Sequence, residues 1–230
     1  MKSILNVHLL ILLAVTFITG CGIMNGSTTV EFEDENLEQA IREEINKPTG
    51  EITSSDVKEI ENLSIIDPFK KEGEKIKSLE GIEHLTNLKI LELNNNRISD
   101  VTPLSSLDNL QILNLDQNEI KNVEPLSELD NLTSIDLMEN QIEDISPLAE
   151  LENLTGLHFM DNQVQDIFHL SFADQMEIVF LAGNPINDFS PLLEIDNLYA
   201  ILIYEDDLTS SRDRQVINEL EDSGVDVRRH

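Results

Sequence analysis

The amino-acid sequence predicts an α/β solenoid: a curved parallel sheet opposite a convex side of 3₁₀ turns and loops, closed by an N-terminal helical cap and a short C-terminal cap. Three observations predict it. From Leu85 the chain follows a 22-residue repeat, through units 85–106, 107–128, 129–150, 151–172 and 173–194, with a sixth begun at Ile195. Each unit carries two apolar columns one residue apart, the spacing of a short strand with one inward face. Pro103, Pro125, Pro147 and Pro191 recur at one position, where they favour a tight turn over a long helix. A repeat of this length marks stacked units, each burying its apolar face against its neighbours.

The columns have separate duties. Leu91, Leu113, Ile135, Leu157, Val179 and Ile201 point inward, as do Leu93, Leu115, Leu137, Phe159, Leu181 and Ile203. Ile98, Ile120, Ile142, Val164 and Ile186 take the next inward position, and the columns begun by Val101, Leu104, Leu107 and Leu110 fill the convex side. Asn96, Asn118, Asn140, Asn162 and Asn184 share one position. A buried asparagine there can bond the backbone of its own turn and of the adjacent unit, forming a ladder along the spine.

A solenoid needs atypical ends to cover its terminal core. Leu37, Ala40, Ile41 and Ile45 share one helical face behind Asp34, a helix-capping residue. Thr53 and Asp56 have the spacing of a capping box for a second helix with Val57 and Ile60 inward. Residues 63–84 read as a degenerate first unit, since Ile76, Leu79 and Ile82 stand one full period before Ile98, Val101 and Leu104. At the other end Ser210 or Ser211 can cap a helix bearing Val216, Ile217 and Leu220. Gly224 stops that helix, and Val225 and Val227 follow as a closing strand, Val225 lying one period after Ile203.

Before the caps, Lys2 and the apolar run Leu9 to Ile18 have the form of a secretory signal, too short to span a bilayer comfortably. Ile18-Thr19-Gly20-Cys21 follows and resembles the bacterial lipobox at every position. That resemblance implies acylation of Cys21, which becomes the new N-terminus and anchors the chain to a membrane. The expected organisation is therefore 1–20 signal peptide, 21–29 lipidated cysteine and tether, 30–62 N-terminal helical cap, 63–208 repeats and 209–230 C-terminal cap. No wall-sorting signal or further domain is expected, which leaves the lipid as the anchor.

The repeat itself is similar to the leucine-rich repeat, L-x-x-L-x-L-x-x-N-x-I. Its portion N-x-I-x-D-[IV]-x-P-L, seen in Asn96 to Leu104 and Asn140 to Leu148, resembles the 22-residue internalin type. Asn122 in place of the aspartate and His169 in place of the proline depart from it, and the sixth unit lacks the asparagine. The resemblance implies a leucine-rich-repeat solenoid whose concave face is lined by the outward strand residues. These are Glu92, Asn114, Asp136, His158, Phe180 and Leu202, with Asn94, Asp116, Met138, Met160, Ala182 and Tyr204 beside them, then Asn95, Gln117, Glu139, Asp161, Gly183 and Glu205. Along the solenoid this face passes from acidic and amide-rich to apolar. Exposed methionines and aromatics on such a face mark a protein-binding surface. The competing reading has the C-terminal cap or a loop folded over Phe180 and Leu202.

The composition excludes other classes. With 45 Asp+Glu against 15 Lys+Arg and a net charge of -30, the chain repels a phosphate backbone, so no nucleic-acid partner is expected. A 40% apolar content is enough for a core. One cysteine and no tryptophan leave neither a disulfide framework nor a cysteine-rich metal site. No phosphate-binding glycine loop, zinc spacing or EF-hand is present, and no cofactor or metal is expected. His158 with Asp136 and Asp161 is the one trio placed for acid–base or metal chemistry, and an acidic chain produces such neighbours by chance. Glu205-Asp206-Asp207 reads as a solvated edge in preference to a calcium site.

The chain is thus expected to be no enzyme but a membrane-tethered extracytoplasmic binding module for a protein. Its expected ligand-binding residues are Glu92, Asp116, Asp136, Met138, Glu139, His158, Met160, Phe180, Leu202 and Tyr204, with the acids steering a basic partner. The alternatives are an envelope scaffold or accessory subunit, and a glycan-binding role for which one Phe and one Tyr are thin stacking material. Adhesion to host receptors is known of particular internalins and is not encoded by the repeat alone.

Overall fold

The computed structural model describes residues 27–66 and 71–229. Cys21 and the whole signal segment lie outside the described residues, as does His230.

The chain enters through Thr28 and Thr29, which pair with the backbone around Thr53. Asp34 then starts α1 (Glu35–Glu44): its Oδ1 accepts from the backbone N–H groups of Asn36 and Leu37, two of the unsatisfied donors of a helix N-terminus. Its Oδ2 accepts from Lys77 N at 2.8 Å, so one carboxylate both caps α1 and docks it on the first unit. Leu37 and Ile41 are fully buried against the solenoid. Asp56 organises α2 (Ser54–Val57) by accepting from Thr53 N and Oγ1 and from Lys47 Nζ. Those bonds, Lys47 foremost and then Thr53, hold its carboxyl down at about 2.

Eight strands among the described residues form one all-parallel sheet in chain order. They are β1 (Asn62–Ser64), β2 (Ile90–Glu92), β3 (Ile112–Asn114), β4 (Ser134–Asp136), β5 (Gly156–His158), β6 (Ile178–Phe180), β7 (Ala200–Ile203) and β8 (Asp226–Arg229). From β2 to β7 the register is the sequence repeat itself, as in Leu91↔Leu113 and Leu157↔Val179. Opposite the strands lie 3₁₀ turns such as Thr102–Leu104, Glu124–Leu126 and Ser146–Leu148, each with its proline near the start. Strands hydrogen-bonded about 4.8 Å apart on one side and bulkier turns on the other bend the stack, which places the sheet on the concave face. Between the two layers runs one continuous core of the leucine, isoleucine and valine columns, most of them fully buried. Shortening one such leucine to alanine costs about 2–5 kcal/mol.

Two polar columns tie the units together. Asn118 Oδ1 accepts from Ile98 N at 2.9 Å, while its Nδ2 donates to Leu115 O in its own unit and to Leu93 O in the unit before. Asn140 and Asn162 repeat this set. On the convex side the repeated aspartate opens each 3₁₀ turn: Asp100, Asp144 and Asp188 accept from the N–H groups of Thr102, Ser146 and Ser190. These bonds lower all three carboxyls. The departure at Asn122 is chemically silent, because its amide oxygen accepts from Glu124 N at 3.0 Å in the same way.

The sheet's ends depart from the regular step. Leu63 pairs with Leu91, although the repeat period would bring position 69 to that place. At the other end Ser210 and Asp213 form a reciprocal cap for α3 (Ser211–Ser223), whose Val216, Ile217 and Leu220 are buried, and Gly224 ends it with φ +100°. The sequence sets Val225 one period after Ile203, but the strand that forms pairs Ile203 with Arg229 and Ile201 with Val227. A long helix takes the place of the short turn and adds the extra length.

Candidate functional site

Alternation along the strands makes one row of side chains on the concave surface: Ser64, Glu92, Asn114, Asp136, His158, Phe180, Leu202 and Arg228, one per strand in register. Its middle is an aromatic stack. The His158 and Phe180 rings lie 4.4 Å apart at 14°, and Arg228 brings its guanidinium to 5.7 Å from the Phe180 centroid. The C-terminal cap therefore extends the face and partly covers Phe180 through Arg228, while Phe180 and Leu202 stay half-buried. Asp136 Oδ2 is 3.7 Å from His158 Nδ1, a separation longer than a hydrogen bond.

The next row runs Asn94, Asp116, Met138, Met160, Ala182 and Tyr204. All are half-buried except Ala182, which is fully enclosed. Asn114 and Asp136 explain the tight spacing here, since each side chain accepts from the N–H two residues on, Asp116 N and Met138 N. Asp116 Oδ1 and Asn94 Oδ1 are buried with no hydrogen-bond partner among the described residues. Burial, then repulsion from Asp136 and Glu139, pushes the Asp116 carboxyl up to about 6.

The third row sits where each strand turns away, and its backbone is left-handed: φ is +56° at Asn95, +54° at Gln117, +51° at Glu139 and +53° at Asp161. The fifth member is Gly183 at +73°, and a Cβ there would collide with the Asp161 carboxylate and crowd the Tyr204 ring. That bare position lets Tyr204 Oη donate to Asp161 Oδ2 at 3.3 Å. Asp207 accepts from Tyr204 N and Gly183 N and so serves the backbone, while Glu205 and Asp206 of the same acidic run are exposed.

The ten residues expected to bind ligand thus stand on one face, Glu92 at its acidic end and Leu202 with Tyr204 at its apolar end. The trio of His158, Asp136 and Asp161 is not brought together, because Asp161 turns to Tyr204. Among the described residues no group of three or more His, Cys, Asp or Glu side chains is placed to hold a metal ion. Two sets of surface residues escape the sequence reading. Ile90, Ile112 and Ile178 begin their strands and so face outward, Ile112 being 39% exposed. Strict alternation, carried one residue earlier, would have found them. Phe168, Phe172 and Tyr199 are more open still, at 54%, 65% and 64%.

Residues 108–150 match the family described as Leucine Rich repeats (2 copies). An internalin, InlF, of Listeria monocytogenes superposes with a TM-score of 0.69 at 31% identity, over 76% of this chain and 52% of that one. Internalin C2 of the same organism gives 0.58 at 29% identity, over 78% of this chain and 90% of its own. The chain has an internalin-type leucine-rich-repeat fold. A leucine-rich-repeat protein of Leptospira interrogans superposes less closely, with a TM-score of 0.53 at 27% identity over 56% of this chain and 34% of that one. No curated protein matches significantly. The chain spans about half the length of the InlF structure.

Proposed function

We propose that this chain is an extracytoplasmic protein-binding module that takes its partner on the concave face and is held to a membrane by lipid on Cys21. The observation that carries the reading is the row from Asp136 through His158 and Phe180 to Arg228: a stacked, half-buried aromatic centre flanked by charge on a rigid sheet. Central aromatic and arginine anchors ringed by polar groups are what protein interfaces use for most of their binding energy. Glu92, Asp116, Asp136 and Glu139 give one end of the face a negative field that steers a basic partner, and Met138, Met160, Leu202 and Tyr204 supply adaptable apolar contact. The internalin-type fold supports the same reading and an extracytoplasmic location, and the lipobox supplies the anchor.

The test is capture by immobilised residues 22–230 from envelope extracts and host-surface proteins, in parallel with Phe180→Asp and Tyr204→Ser. A partner retained by the wild type and lost from both variants is the expected result. Capture indifferent to these substitutions would reject the face. The anchor is tested separately, by incorporation of labelled palmitate and membrane fractionation of the full chain against Cys21→Ala. Equal labelling of the two would reject it.

A further inference from the structure

The junction of the fourth and fifth units breaks the repeat where nothing in the concave face requires it. Phe168 stands where the other units have Thr102, Glu124, Ser146 and Ser190, and Phe172 where they have Ser106, Glu128, Glu150 and Glu194. His169 replaces the proline, and Ala173 replaces Leu107, Leu129, Leu151 and Ile195. Gln175 replaces the asparagine whose equivalents Asn109, Asn131, Asn153 and Asn197 each donate to a carbonyl of the unit before.

These changes act together. The two phenylalanines pack edge to face, with centroids 5.4 Å apart at 83°, and both are more than half exposed. Beside Phe172 and the small Ala173 lies a cleft of about 350 Å³, with the largely buried Leu151, Leu154 and Ala149 behind it. Glu150, Glu152 and Asp174 line it with Gln175, and among the described residues no basic side chain does. A solvent-facing aromatic pair costs solubility and adds nothing to the core, so its place beside an open cleft points to an occupant. The three carboxylates set that occupant's charge, and the chain's own -30 disfavours a second copy.

We propose that this cleft is a second docking site, separate from the concave face, which receives an apolar side chain from a basic segment of a protein partner. A leucine-sized group fits the volume beside Phe172 and Ala173, and flanking lysines or arginines meet Glu150, Glu152 and Asp174.

The experiment uses the detergent-extracted full chain and a fluorescein-labelled KRKLLKRK peptide, read by anisotropy. KRKAAKRK and EDELLEDE serve as controls for charge alone and apolarity alone. Phe172→Ser and Ala173→Leu each install a residue type that other units carry at that position, so both keep the fold, and thermal melts verify it. Saturable binding is expected for KRKLLKRK, weakened at least fivefold in both variants and by KRKAAKRK, absent for EDELLEDE, and changed less than twofold by Phe180→Asp. Unchanged binding in Ala173→Leu and Phe172→Ser, or equal binding of KRKAAKRK, would overturn the proposal. So would self-association in sedimentation equilibrium that Ala173→Leu abolishes, since the occupant would then be a second copy. Loss of concave-face capture leaves this result untouched, and the reverse holds as well.

Discussion

His158 lies flat on Phe180, 4.4 Å between centroids and 14° between planes, because their strands pair in register and both side chains leave the sheet on the same side. Cross-strand aromatic pairs of this kind add about 0.5–1.5 kcal/mol beyond the area they bury. A double-mutant cycle of His158→Ala and Phe180→Ala, followed by urea unfolding, is expected to give a coupling of about 1 kcal/mol. Additivity within about 0.3 kcal/mol would mean that the stack is geometry without energy. The face would then be less rigid than its contacts imply.

The asparagine column should be the most sensitive polar position in the chain. Asn140 accepts from Ile120 N and donates to Leu115 O and Leu137 O, all of them buried. Asn140→Ala leaves the Ile120 N–H without a partner and strips one of two bonds from Leu115 O and from Leu137 O, which keep those from Asn118 and Asn162, at a cost of about 1–3 kcal/mol. Asn140→Asp keeps the acceptor but turns a donor into a carboxylate oxygen facing two carbonyls. It should be worse than alanine at pH 7 and recover toward pH 4 as it protonates. Equal stability of the two variants across that range would refute the ladder's role.

The repeat made the core, the asparagine ladder and the concave rows legible, because a fixed period turns each column into a single structural question. Legibility failed where the period stops. Val227 pairs with Ile201 only because α3 lengthens the return, and a helix length adds no phase information to the columns before it. Ile112 was missed for a different reason: an apolar residue beside the inward Leu113 looks like core until the strand's first residue is known. The left-handed row was hidden because Gln117 and Glu139 are not residues that announce a positive φ, whereas Gly183 is. Arg228 over Phe180 depends on the same unpredicted register of the last strand.

Asp116 makes the concave face pH-sensitive. Its carboxyl is raised to about 6, by burial first and then by Asp136 and Glu139. For an acid raised in the folded state, the native protein binds the extra proton between the ordinary value of 3.8 and about 6. The group therefore destabilises the fold above pH 6, and that penalty disappears as pH falls through this window. Asp116→Asn is expected to stabilise by about 1 kcal/mol at pH 7.5, a value reduced for solvent screening at a half-open site, and to lose the advantage near pH 4. Denaturant midpoints at both pH values measure it. A gain independent of pH would assign the effect to packing and not to charge.

Gln117 holds φ at +54° in a row whose members all turn the chain out of a strand. A side chain in this region crowds its own backbone, at a cost of about 1 kcal/mol for an unbranched residue and more for one branched at Cβ. Asparagine tolerates the conformation, and glycine removes the crowding but gives back part of the gain by loosening the unfolded chain. The expected order of stability is therefore Gln117→Asn above wild type, Gln117→Gly close to wild type, and Gln117→Val lower by about 1–2 kcal/mol. Gln117 also donates to Glu139 Oε1 at 3.2 Å, an exposed bond whose loss lowers all three variants alike by a small amount against the wild type and leaves their mutual order unchanged. Thermal unfolding ranks the set. A valine variant as stable as the asparagine variant would show that the turn relaxes to an ordinary φ, and the close approach of the strand ends on this face would have to be held by the asparagine ladder alone.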